Sequence, residues 1–166
     1  SIEASQFLAK VCLAFVGAPF GWESEGYDRA DIQLPKNQRM MLDALTKQTD
    51  NIIIILTGGS VYDLAPWKDK VKGIIFAGMA GEGYGKAIAD IIFGKAEPGG
   101  RLAETFPLDF RHTPAYFDFA EDSVELPNVT YSEGLLVGYR WYDTRNLPVM
   151  YPFGYGLSYT TFAYTN

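Results

Sequence analysis

Hydrophobic residues recur along this chain in two rhythms, short continuous runs and positions spaced three or four apart, and their alternation predicts the elements. Residues Ile2 to Lys10 are weakly helical, with Phe7 and Leu8 as core contacts. The first run, Val11 to Val16, closes at Gly17 and reads as a strand. Pro35 then precedes a helix expected from about Lys36 to Thr46, with Met40, Met41, Ala44 and Leu45 on its buried face. Asn51 to Thr57 is almost continuously β-branched and apolar, as a parallel strand covered on both faces should be, and Gly58-Gly59 ends it. A segment through Val61, Leu64 and Trp67 leads to a third strand, Val71 to Ala77. Beyond the glycine-rich stretch Gly78 to Gly85, a second helix is expected from about Glu82 to Phe93. Its apolar stripe would be Tyr84, Ala87, Ile88, Ile91 and Ile92. Strands and helices in alternation predict an α/β fold with a mostly parallel sheet.

From Gly94 the periodicity fades. Gly94, Pro98, Gly99 and Gly100 mark a turn, and Arg101 to Phe106 reads as a short strand stopped by Pro107. Leu108 to Val129 is an irregular excursion, and the aromatic, glycine-rich tail from Tyr131 to Asn166 reads as loops and short strands. The expected organisation is one domain over 1–166, with an α/β core to about residue 107 and the excursion and tail over 108–166.

Composition narrows the function classes. At 166 residues the chain can bury a core, and 48% apolar with 20% charged content excludes disorder as its main state. A formal charge of −6 without a basic run argues against nucleic acid as a partner. No apolar stretch is long enough to span a membrane, and the first residues carry no signal-peptide pattern. Cys12, the single cysteine, sits inside the first strand and reads as a small core residue.

The densest chemistry lies in Trp22-Glu23-Ser24-Glu25-Gly26-Tyr27-Asp28-Arg29. Three carboxylates, a cation and two aromatic rings follow the first strand, and Pro19, Gly21 and Gly26 make the segment a loop. Sugar-processing sites combine carboxylates for proton transfer with aromatic faces for the ring. A solvated acidic turn with Asp28 and Arg29 in a local ion pair is the plainer alternative. Elsewhere the signals are weak. The glycines from 78 to 85 miss the dinucleotide spacing, and Ala87 after Gly85-Lys86 breaks the phosphate-loop pattern, so close strand–helix packing accounts for them. Glu82 suits a first helical turn by charge alone. His112, the only histidine, has no nucleophile-elbow serine to serve, and one histidine with one cysteine makes no zinc site. Asn128-Val129-Thr130 is a formal glycosylation sequon.

Several of these segments together resemble the α/β-sandwich domain of family 3 glycoside hydrolases, in particular the β-glucosidase branch. They are Glu23-Ser-Glu-Gly-Tyr-Asp-Arg29, Leu34-Pro35-x-Asn37-Gln38 and Gly58-Gly59-Ser60-Val61 after the isoleucine-rich strand. Gly81-Glu82-x-x-Gly85 through Phe93-Gly94, Pro98-Gly99-Gly100-Arg101-Leu102, Tyr131-x-Glu133-Gly134, Val137 to Asp143 and Pro152 to Phe162 continue the match in order. The resemblance implies a three-layer α/β sandwich, here without the family's first strand and helix. It implies retaining hydrolysis of a non-reducing terminal β-linked sugar, with an Asp nucleophile and a Glu acid/base. Glu25 aligns first with the acid/base, and Glu23 is the alternative. Trp22, Tyr27, Asp28 and Arg29 would bind substrate or shape the loop, with Asp28 and Arg29 paired. Burial beside Trp22 or Tyr27 on sugar binding would favour the protonated acid. The nucleophile belongs to a (β/α)8 barrel absent from this chain, so the barrel becomes an expected partner, with a fibronectin type III-like module beyond the tail. No cofactor and no metal is implied. A non-catalytic carbohydrate-binding or scaffold domain of the same fold remains the alternative, and a nucleotide-binding α/β domain a third reading.

Overall fold

The structure, a computed structural model, describes residues 10–19, 21–26, 29–116, 118, 130–163 and 165. The chain divides into two compact units, residues 1–88 and 89–166. The expected helical turn with Phe7 and Leu8 lies outside the described residues, as does the sequon at Asn128.

The first unit is built on a parallel sheet in the order β1-β2-β3, formed by Cys12–Gly17, Ile52–Thr57 and Gly73–Gly78. Its register sets Ala14 beside Ile54 and Ile74, and Val16 beside Leu56 and Phe76. In the central strand Ile54, Ile55 and Leu56 are all fully buried, so both faces are covered, as the β-branched run predicts. The edge strand β1 differs. Ala14 and Val16 are buried while Leu13 and Phe15, on the other face, are exposed, and Cys12 is only half-buried rather than a core residue. Period-two alternation explains this, because an edge strand covered on one face buries only every second side chain.

Helix α1 (Lys36–Leu45) starts after Pro35 as expected, but its buried face is centred on Leu42 and Leu45. Met40 is 62% exposed, which corrects its assignment to the core. Two residues before Leu42 is about 200° round an α-helix, so Leu42 and Met40 cannot share a face. Gln38, one turn before Leu42, uses its amide to receive the Gly17 N–H (2.9 Å) and to donate to the Gly17 carbonyl (3.0 Å). Gly17 itself has φ of +151°, and a Cβ there would lie 1.8 Å from the Thr57 carbonyl oxygen. Only glycine lets the end of β1 approach β2 so closely.

The segment after β2 supplies much of the core. Val61, Tyr62, Leu64 and Trp67 are buried, and the Trp67 indole donates to Asp43 of α1 at 2.8 Å. Helix α2 (Tyr84–Ile92) buries Ile88, whereas Ala87, on the flank of the expected stripe, is exposed.

In the second unit the expected strand at 101–106 shrinks to β4 (Phe106–Pro107), antiparallel to β5 (Val149–Tyr151). The tail expected as loops and short strands also contains a helix, α3 (Tyr139–Arg145). It ends at Asn146 in the left-handed conformation (φ +51°) and buries Tyr142. Trp141 donates to the main-chain carbonyl of His112 at 3.0 Å. Beyond β5 the tail folds back on residues 97–102. Glu97 accepts the Tyr159 N–H at 2.7 Å, and Arg101 donates to the Ser158 hydroxyl at 2.9 Å. No helix of the described residues is long and apolar enough to cross a membrane.

Candidate active site

Three parallel strands end together, and the segments leaving their carboxyl ends converge on the acidic loop. In open α/β sheets that end of the strands is where ligands are bound. The loop leaves β1 at Gly17, Gly58-Gly59 leaves β2, and Met79 follows β3. Thr57 and Tyr84 share a hydroxyl–hydroxyl bond of 2.8 Å, and Gly58 N–H reaches the Gly78 carbonyl, so the ends of β2 and β3 are tied to one another.

Glu23 is drawn into this frame. Its Oε2 accepts the Gly59 N–H at 2.6 Å, its Oε1 accepts the Tyr62 hydroxyl at 2.9 Å, and Arg29 Nε stands 4.0 Å from Oε1. The side chains of Glu23 and Arg29 are each only 15% exposed. Arg29 also donates to the Val61 carbonyl at 3.0 Å and lays its guanidinium over the Tyr62 ring, 4.3 Å from the centroid. Burial first, and then the hydrogen bond to Glu23, push the Tyr62 phenol up to about 12. A side chain at Gly58 would meet Tyr62 at 2.7 Å and Glu23 at 3.3 Å, so the carboxylate occupies space that only glycine leaves open.

Glu25 has the opposite setting. It is exposed and makes no hydrogen bond or ion pair with any described residue. Trp22, beside Glu23, is 42% exposed. Tyr27 and Asp28 lie outside the described residues, and with them the expected Asp28–Arg29 pair. Among the described residues no group of three His, Cys, Asp or Glu side chains stands close enough to hold a metal ion.

The sequence of the glycosyl hydrolase family 3 C-terminal domain matches residues 4–159 of the chain. The chain belongs to this family. Thermostable β-glucosidase B of Acetivibrio thermocellus is 44% identical over 157 residues, which is 94% of this chain and 20% of that protein. An exo-α-(1→6)-L-arabinopyranosidase of Bifidobacterium longum is 41% identical, over 95% of this chain and 20% of its own length. The crystal structure of a family 3 β-glucosidase from Bifidobacterium adolescentis superposes with a TM-score of 0.85 at 43% identity, covering 91% of this chain and 22% of that one. This family 3 domain thus spans about a fifth of the length of the relatives it matches. Its parallel α/β fold is the one the sequence predicts.

Sequence reasoning on this family 3 domain found the acidic loop and missed the groups that hold it. Tyr62 and the Gly59 amide lie 39 and 36 residues from Glu23, a separation no local motif bridges. The one available signal was Gly58-Gly59 directly after a buried strand, which marks a backbone left open to close approach.

Proposed function

We propose that this chain is the acid/base-bearing domain of a retaining glycoside hydrolase that removes a non-reducing terminal β-linked glucose, with Glu25 as the acid/base. The observation that carries the choice is the contrast between two carboxylates one residue apart. Both oxygens of Glu23 are engaged as acceptors inside the fold, while Glu25 is exposed and has no hydrogen-bond or ion-pair partner among the described residues. A proton donor must reach the leaving oxygen, so the free carboxyl suits the role and the pinned one does not.

In this reading an Asp from a (β/α)8 barrel of the larger protein attacks the anomeric carbon as the bond to the leaving group breaks. Glu25 gives its proton to the departing oxygen. As a carboxylate it then takes a proton from the water that attacks the glycosyl-enzyme bond, releasing the sugar with retained configuration. The two carboxyls would stand roughly 5 Å apart, too close for an intervening water. Exposed Trp22, and Tyr27, would offer aromatic surface to the sugar or its leaving group. Asp28 and Arg29 would shape the loop. A β-glucoside is the first substrate to assay. An L-arabinopyranoside is the second, because one relative carries that name.

The test is Glu25→Gln in the full-length enzyme that carries this domain. Cleavage of cellobiose should fall by about 10²-fold or more, the usual contribution of general acid–base catalysis. With an activated aryl β-glucoside, azide should restore turnover and yield a glycosyl azide. If azide rescues Glu23→Gln instead, the assignment moves to Glu23. If neither substitution affects the rate, the domain is a carbohydrate-binding or scaffold module without chemistry.

A further inference from the structure

Resting on the reading of Glu25 as the acid/base, we propose that Tyr62 is a positioning residue for it, acting through Glu23 and Arg29. The catalytic loop is stapled on both sides of Glu25, and both staples land on one short segment. On the near side, Glu23 accepts from the Gly59 amide and the Tyr62 hydroxyl at 2.6 and 2.9 Å. On the far side, Arg29 donates to the Val61 carbonyl at 3.0 Å and stacks on the Tyr62 ring. Glu23 and Arg29, on either side of Glu25 in the chain, are therefore both held by residues 59–62.

The anchor is rigid. Tyr62 is fully buried, and its neighbours Val61 and Leu64 belong to the core. Charge-assisted hydrogen bonds from a neutral hydroxyl and an amide to a carboxylate are short and directional, so they fix where Glu23 sits rather than merely attract it. Ser24 alone separates Glu23 from Glu25, and a displacement of the first must pass to the second. Tyr62 touches no reacting atom in this scheme. Its contribution is the distance between the acid and the leaving oxygen, a quantity to which rate is steeply sensitive.

Tyr62→Phe removes the hydroxyl while keeping the ring under Arg29 and the volume of the core. In the full-length enzyme, kcat for cellobiose, whose leaving group needs protonation, should fall by about tenfold or more, with KM little changed. For dinitrophenyl β-glucoside, whose leaving group departs without a proton, kcat/KM, which reports glycosylation alone, should be almost unaffected. In chain 1–166 alone, hydrogen exchange of the Gly59 amide and of residues 22–26 should accelerate in the same variant. A loss of kcat/KM equal for both leaving groups, or no loss for cellobiose, overturns the positioning role while azide rescue of Glu25→Gln leaves the acid/base reading intact. Failure of that rescue removes the reading and this proposal together. A Gly59 amide exchanging equally in both proteins likewise counts against the staple.

Discussion

Tyr62 carries two consequences at the scale of a single residue. Its phenol ordinarily loses a proton near 10 and in the fold near 12, mainly because burial disfavours the phenolate. The unfolded chain therefore gives up that proton first as pH rises. The stabilisation is complete below about 10 and is lost on the way to about 12. Tyr142 behaves alike, also raised to about 12 by burial and then by the Glu104 charge. Thermal melting followed between these two pH values should show a falling Tm, and Tyr62→Phe should make the fall shallower. An unchanged slope in that variant would show that the phenol is as free to ionise in the fold as out of it. The same residue explains what the sequence could not decide. Glu23 and Glu25 are alike in type, and the family resemblance alone put Glu25 first. The arrival of Gly59 and Tyr62 from beyond the next helix and strand gives the two different surroundings.

At the scale of elements, the isoleucine-rich β2 was legible because a strand buried on both faces needs no periodicity to be recognised. Helix α1 was legible in its limits and in Leu45, and misread at Met40. Its inner edge runs through Gln38, Leu42 and Leu45, with Met41 half-buried beside them, and a glutamine there does not look like core. Leu42→Ala should cost about 2–5 kcal/mol in a denaturation experiment, and Met40→Ala should stay within about 0.5 kcal/mol. Reversal of that order would restore the methionine face. Gly17→Ala should be the more damaging change despite its size, since the new methyl would lie 1.8 Å from the Thr57 carbonyl. The two strands must then part at their carboxyl ends, where the acidic loop begins, and both stability and any activity should fall together. Helix α3 escaped notice because Gly138 offers no capping side chain and aromatic residues are poor helix formers.

For the molecule as a whole, fold class and family were readable from motifs spread in order along the chain. The tertiary partners of the second unit were not. Glu97 meets Tyr159 across 62 residues, and nothing in either segment announces the other. Length sets a functional expectation too. A domain spanning about a fifth of its relatives carries the proposed acid and no proposed nucleophile. Chain 1–166 alone should therefore release no aryl aglycone above background, and any turnover abolished by Glu25→Gln would contradict the need for a barrel. The one-sided burial of β1 also governs how such material behaves in the tube. Leu13 and Phe15 stay 41% and 54% exposed on an edge strand. Among the described residues this strand has a partner on one side only, and apolar side chains exposed on an edge strand invite other chains. Sedimentation of the separate domain should reveal reversible self-association that grows with concentration. Leu13→Lys should suppress it, so colloidal behaviour, rather than weak folding, would limit the concentrations at which the domain can be studied.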